Sequence, residues 1–148
     1  MDLFSDVDPT FFVDGRFKTY NYWPFDDDKP CNKRAMAEAG FISVGNGIEA
    51  DHVECFICSK QLDGWEEDDD PWEEHKKHQA NCPFILLGKK DELTLKIEEM
   101  YALLKIYYLK ELNKKKDEIL KSVEKEITAQ GKLIPKVYAK SKAIKRKQ

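Results

Sequence analysis

The sequence predicts an α+β fold: a small unit over residues 11–88, followed by one long α-helix over residues 89–131. A short N-terminal segment (residues 1–10) precedes them and a basic tail (residues 132–148), expected to be disordered, follows. Three observations carry this. Helix-like and strand-like patterns alternate between turn residues up to about residue 88. Cys55, Cys58, His75, His78 and Cys82 crowd into one stretch. Residues 91–130 hold no Pro or Gly, while apolar side chains recur there at helical spacing.

KRAMAEAGF (residues 33–41) predicts a short helix stopped at Gly40, which suits the left-handed position after a helix end. HVECFIC (52–58) has the β-branched and aromatic content of a strand, with Asp63-Gly64-Trp65 as a tight turn after it. WEEHKKHQANC (72–82) predicts a helix. Asp70 is its N-cap, Pro71 its first residue, and Glu73 and Glu74 complement the positive dipole end. So small an α+β unit is near the lower limit for a self-sufficient core, so a staple is expected.

The cysteines supply it. The acidic N-terminus, MDLFSDVDPTFF, reads as neither a signal nor a transit peptide, and no apolar run approaches the roughly 20 residues of a membrane span. A reducing compartment is expected, where a Cys/His cluster reads as zinc rather than disulfides. Cys55-x2-Cys58 places two thiolates on one tight turn. His75, His78 and Cys82 follow at i, i+3 and i+7, so either histidine can join Cys82, with two full turns favouring His75. Either choice closes a Cys3His tetrahedron around one structural zinc, with no open position for catalysis; a non-enzyme is expected. Cys31 is left as a free thiol and His52 as a surface histidine.

Charged residues make up 36% of the chain, with a net charge of −3. The loop between the metal candidates carries Asp63, Glu66, Glu67, Asp68, Asp69, Asp70, Glu73 and Glu74 around Trp65 and Trp72. Acids around a tryptophan repel phosphate backbones but suit a cation such as a peptide's free amine. The plainer reading is a solvated surface with Trp65 half in the core.

The spacing Cys55-x2-Cys58-x16-His75-x6-Cys82 resembles the BIR domain of the inhibitor-of-apoptosis family. So do GRFKTYNYWPF, with Arg16, Thr19 and Trp23-Pro24-Phe25, and Ala37-Glu38-Ala39-Gly40-Phe41. DGWEEDDDPWEEHKKH, DELTL and NKKKDE extend the likeness, over roughly residues 11–128, to the single-BIR branch with a long C-terminal helix. The resemblance implies a short three-stranded sheet with surrounding helices and zinc on Cys55, Cys58, His75 and Cys82. It also implies a pocket of Leu62, Asp63, Trp65, Asp69 and Glu74 for a peptide that begins with alanine. Lys60 and His78 fall where the branch meets the phosphate of a core-histone tail that begins Ala-Arg-phosphoThr. Two positions depart from the family pattern. Asp63 stands where a longer Glu is expected, and Cys31-Asn32-Lys33-Arg34 replaces a Thr-Pro phosphorylation site.

On the long helix, Ile97, Met100, Tyr101, Leu104, Tyr108, Leu112, Ile119, Val123 and Ile127 form one apolar seam that must pair with something. Pattern alone allows a homodimeric coiled coil. The resemblance implies borealin-like and inner-centromere-protein-like helices instead, with Aurora B kinase tethered indirectly in the chromosomal passenger complex. It further implies a mitotic adaptor in nucleus and cytoplasm, moving among centromere, chromosome and spindle midzone to support chromosome segregation and cytokinesis. Homodimerisation in the family would fall on Phe11, Phe12, Phe84, Leu86, Leu87 and Leu93, a leucine-rich region also compatible with nuclear export. The rival expectation is a caspase inhibitor. In the tail, Lys132, Lys136, Lys140, Lys142, Lys145, Arg146 and Lys147, with no acid among them, offer nucleic-acid contact without base readout.

Overall fold

The computed structural model describes residues 7–145, with side chains to residue 135. Contacts divide the chain into two units, residues 1–108 and 109–148. The elements run α1 (Val13–Phe17), α2 (Lys33–Glu38), β1 (Phe41–Ser43), β2 (Val53–Cys55), β3 (Gln61–Leu62), α3 (Pro71–His78), α4 (Pro83–Leu86) and α5 (Ile97–Lys145). Residues 1–6 of the expected N-terminal segment lie outside the described residues.

Helix α2 begins where Asn32 accepts the Ala35 N–H and stops, as expected, at Gly40 with φ of 86°. A Cβ at Gly40 would sit 2.8 Å from the Phe84 ring, so close packing as well as backbone geometry requires glycine there. The sheet is antiparallel in the order β1-β2-β3, with Phe41 opposite Cys55 and Val53 opposite Leu62. Strand alternation turns Phe41, Val53 and Cys55 inward, where all three are buried.

The second strand is shorter than the expected 52–58. It ends at Cys55 because the β2–β3 turn is the Cys55–Cys58 knuckle itself, with Ser59 at φ of 57°; Gly64 turns the chain only after β3. Two thiolates that converge on one point require the backbone to fold at that place.

Arg16 is fully buried at the centre of this unit. Its guanidinium donates to the Ala37 and Phe11 carbonyls, lies 3.4 Å from Glu92 and stacks 4.2 Å from the Phe56 ring centroid. Desolvation lowers its pKa to about 10, which still leaves it charged at neutral pH. Glu92 also accepts the Val13 N–H at 2.9 Å, so one carboxylate ties the segment before α5 to α1.

The first turns of α5 belong to the same core. Leu103, Leu104 and Tyr107 are buried, Met100 is partly so, and Tyr107 meets Phe11 edge-on at 5.5 Å. The compact unit that holds the expected 11–88 domain thus extends to residue 108. In the second unit, Leu112, Ile119, Leu120, Val123, Ile127, Leu133 and Ile134 are exposed along the helix. The tail expected to be disordered from residue 132 is instead helical to Lys145, through Gly131 and Pro135. Proline removes one backbone hydrogen bond, but Lys, Ala, Leu and Ile around it favour helix. Among the described residues, no helix is long and apolar enough to cross a membrane.

Candidate metal centre and peptide-binding face

Cys55, Cys58, His75 and Cys82 come together with all ligand atoms within 4.8 Å of one another. Cys55 Sγ lies 3.9 Å from Cys82 Sγ, and Cys58 Sγ lies 3.6 Å from His75 Nε2. A tetrahedral zinc with bonds of about 2.3 Å to sulfur and 2.05 Å to nitrogen sets S–S near ~3.8 Å and S–N near ~3.6 Å. The donor set therefore fits zinc in identity, number and spacing. His75 Nδ1 lies 2.8 Å from the Ala39 carbonyl; donating there, it leaves Nε2 bare toward the thiols. The N–H groups of Ile57 and Cys58 point at Cys55 Sγ, both at 3.4 Å. Hydrogen bonds from Cys55, Cys58 and the N–H groups of Ile85 and Phe84 hold the Cys82 thiol down to about 3, whereas burial pushes Cys55 up. Bound zinc would stabilise all three thiolates and staple the knuckle to α3.

The route of Cys82 to this cluster differs from the one expected. Helix α3 ends at His78, and Gln79 leaves helical geometry at φ of −152°. Cys82 is not on that helix; it caps α4 with φ of −60° and ψ of 125°. The i, i+7 facing argument thus does not apply, and a chain reversal between 79 and 82 delivers the thiol. The buried His75 faces the thiols, whereas His78 is exposed.

Around the cluster, the expected pocket residues sit in different states. Asp63 is exposed, and among the described residues neither its carboxylate nor the half-buried Lys60 ammonium makes a hydrogen bond or ion pair. Asp69 accepts the Glu66 N–H at 2.8 Å through one oxygen. Glu74 pairs with Lys77 at 3.0 Å and with His78 at 3.3 Å, so a phosphate would compete with Glu74 for His78. Leu62 is half-buried. Trp65 is not an exposed ring: it is 8% exposed and packs edge-on against Phe41 and Trp23, which makes it a floor rather than a free wall. Its indole N–H is buried with no hydrogen-bond partner among the described residues.

Sequence reasoning missed Asp51. Its carboxylate accepts the Gly64 N–H at 2.8 Å and the Trp65 N–H at 3.2 Å, which fixes the turn that presents Asp63. Cys31 N–H donates to the Glu67 carbonyl, and Lys29 pairs with Glu67 at 3.1 Å, so the acidic loop is anchored at a second point.

Two sets of expected contact residues need correction. Phe11 and Phe84 are each 2% exposed and serve the core, so they are not available to a second copy. Leu86 and Leu93 are exposed, Leu87 is half-buried, and Phe12 and Leu93 line a groove of about 630 Å³ with Arg34, Glu38 and Lys90. On the helix, Leu104 is buried and Met100 partly buried in the first unit, so the seam open to partners keeps Ile97, Tyr101, Tyr108, Leu112, Ile119, Val123 and Ile127. The tail residues Lys136, Lys140, Lys142, Lys145, Arg146 and Lys147 lie outside the described side chains.

Residues 16–86 match the family model described as BIR, Inhibitor of Apoptosis domain. Baculoviral IAP repeat-containing protein 5 of Rattus norvegicus is 43% identical over 113 residues, which are 73% of this chain and 78% of the relative. Protein 5.1-A of that series from Xenopus laevis is 38% identical over 137 residues, 91% of this chain and 84% of the relative. Protein 5.2-A, also from Xenopus laevis, is 49% identical over 81 residues, 54% of this chain. The chain spans about half the length of the 5.2-type relatives it matches, 52% for that one. The BIR match, the zinc-shaped Cys3His cluster, and identity that runs well into the long helix place the chain in the inhibitor-of-apoptosis family, in its survivin-like branch.

Proposed function

We propose that the chain is a non-enzymatic mitotic adaptor. Its BIR unit reads a core-histone tail that begins Ala-Arg-phosphoThr, and its long helix bundles with borealin-like and inner-centromere-protein-like helices. That bundle localises Aurora B kinase to centromeres and later to the spindle midzone. The supporting observation is the pair of free charges beside the metal cluster. Lys60 follows Cys58 by two residues and Asp63 follows β3, yet among the described residues neither charged end has a hydrogen bond or ion pair, while nearby Glu73, Glu74 and Asp70 are paired with lysines. A free cation and a free anion on one short segment match a peptide with a positive amine and a negative phosphate. Exposed Leu93 in the groove, together with exposed Leu86, also supports a homodimer when partner helices are absent.

The test is a calorimetric titration of the zinc-loaded chain with three Ala-Arg-Thr peptides: phosphorylated, unphosphorylated, and phosphorylated with an acetylated amine. Binding of the first alone supports the reading. Equal binding of the acetylated peptide sinks the amine pocket, and no binding at all leaves the acids as solvated surface. The rival reading, inhibition of caspases or their antagonists, predicts that the chain slows a purified caspase.

A further inference from the structure

The second unit carries a face that the apolar seam does not use. Beyond residue 118, exposed Ile119, Leu120, Val123, Ile127 and Ile134 follow one side of α5. At 3.6 residues per turn, Lys121, Lys125 and Lys132 fall within about 40° of one another on the opposite side. Glu124, Thr128 and Ala129 share that surface with the lysines, Glu124 at its edge. Glu124 and Glu126 are the last acids in the sequence, and by the same geometry they sit about 80–120° to either side of the lysine row. Because the backbone stays helical to Lys145, position 136, also lysine, falls about 40° from the centre of the row.

We propose that this lysine row binds the phosphate backbone of duplex nucleic acid while the opposite seam packs on partner helices. Three cations with a single acid at their edge, and no acid beyond Glu126, complement a polyanion, and contact releases counterions from the duplex. The small residues between the lysines, Thr128 and Ala129, let the helix approach phosphates closely. Among the described residues, the lysine face carries no aromatic ring, so it offers no stacking platform and binding is independent of sequence. An anionic lipid surface fits less well. With the seam buried in lipid, Glu124 and Glu126 would lie nearer the anionic headgroups, while the lysines would point to solvent.

The experiment is fluorescence anisotropy of a labelled mixed-sequence duplex with the zinc-loaded full chain over a series of salt concentrations. Each phosphate contact contributes about −0.9 to the slope of log K against log salt. Lys125→Glu with Lys132→Glu should flatten the slope by about 1.8, and the Lys125→Gln/Lys132→Gln pair, which preserves helix propensity, should flatten it in the same direction. Lys115→Glu with Lys116→Glu changes net charge equally on other faces and should flatten it far less. The proposal falls if the first pair leaves the slope unchanged or if both Glu pairs flatten it equally. It falls equally if phosphatidylserine vesicles bind the chain while the duplex does not.

Discussion

Leu104 and Leu112 share a heptad-like pattern, yet the structure assigns them to different jobs, and a matched pair of substitutions separates those jobs. Leu104 is 8% exposed against the BIR core, whereas Leu112 is 62% exposed on the second unit. Leu104→Ala removes three carbons from a packed site, a transfer loss of about 2.4 kcal/mol at ~0.8 per methylene, with a cavity contribution beyond it. With a urea m-value of roughly 1.5–2 kcal/mol per molar, the unfolding midpoint should fall by about 1–2 M. Leu112→Ala should stay within about 0.5 kcal/mol of the parent. Trp23, Trp65 and Trp72 are all buried in the first unit, so intrinsic fluorescence during a urea titration of the zinc-loaded protein reads that unit directly. Equal midpoints for Leu104→Ala and the parent would refute the assignment of the early α5 turns to the BIR core. Leu104 would then belong to the partner seam after all.

Three further substitutions or treatments test other parts of the same account. His75→Ala should abolish stoichiometric zinc by atomic emission and unfold the first unit, whereas His78→Ala should keep both zinc and fold; the reverse pattern would overturn the ligand set. Glu92→Ala should lower the urea midpoint by an amount equivalent to about 1–2 kcal/mol, because Arg16 and the Val13 N–H both lose an acceptor. Glu92→Gln, which keeps an acceptor but not the charge, should lose less. Burial pushes the Cys31 thiol up to about 12, so at pH 8 it stays protonated and unreactive while the domain is folded. Mass spectrometry after alkylation of the zinc-loaded protein should find Cys31 unmodified, and labelling at the rate of an exposed thiol would show that the core does not enclose it.

Much of this site was legible because its signals are local. The N-cap at Asp70 and the stop at Gly40 depend on neighbours within three or four residues. The end of α3 was misread although a signal existed: Pro83 disfavours helical geometry at Cys82, and the observed ψ of 125° obeys that rule. The buried stripe of Met100, Leu103, Leu104 and Tyr107 also has helical spacing, but a single seam drawn through the whole helix absorbs two of its members and hides the others. Asp51 and Glu92 had no sequence signal. Each acts on backbone N–H groups far away in the chain, across 13 and 14 residues for Asp51 and 79 for Glu92, and such pairings exist only once the fold has formed.

On the proposed function, the metal cluster and the peptide face are parts of one mechanical arrangement. Cys58 and His75, 3.6 Å apart, join the β2–β3 turn to α3. Lys60 sits two residues beyond one ligand, and His78 one helical turn beyond the other. Bound zinc would therefore fix the separation of both walls, while Asp51 fixes the turn at Gly64 between them. Loss of metal should erase peptide binding by moving the walls apart, even though no proposed peptide contact is a zinc ligand. Substitutions at Lys60 or Asp63 act differently, since among the described residues no hydrogen bond or ion pair engages their charged ends. Those two positions can retune which peptide is read and leave the staple intact. On the proposed function, a shorter Asp63 in place of the expected Glu would thus alter specificity and leave the fold as it is.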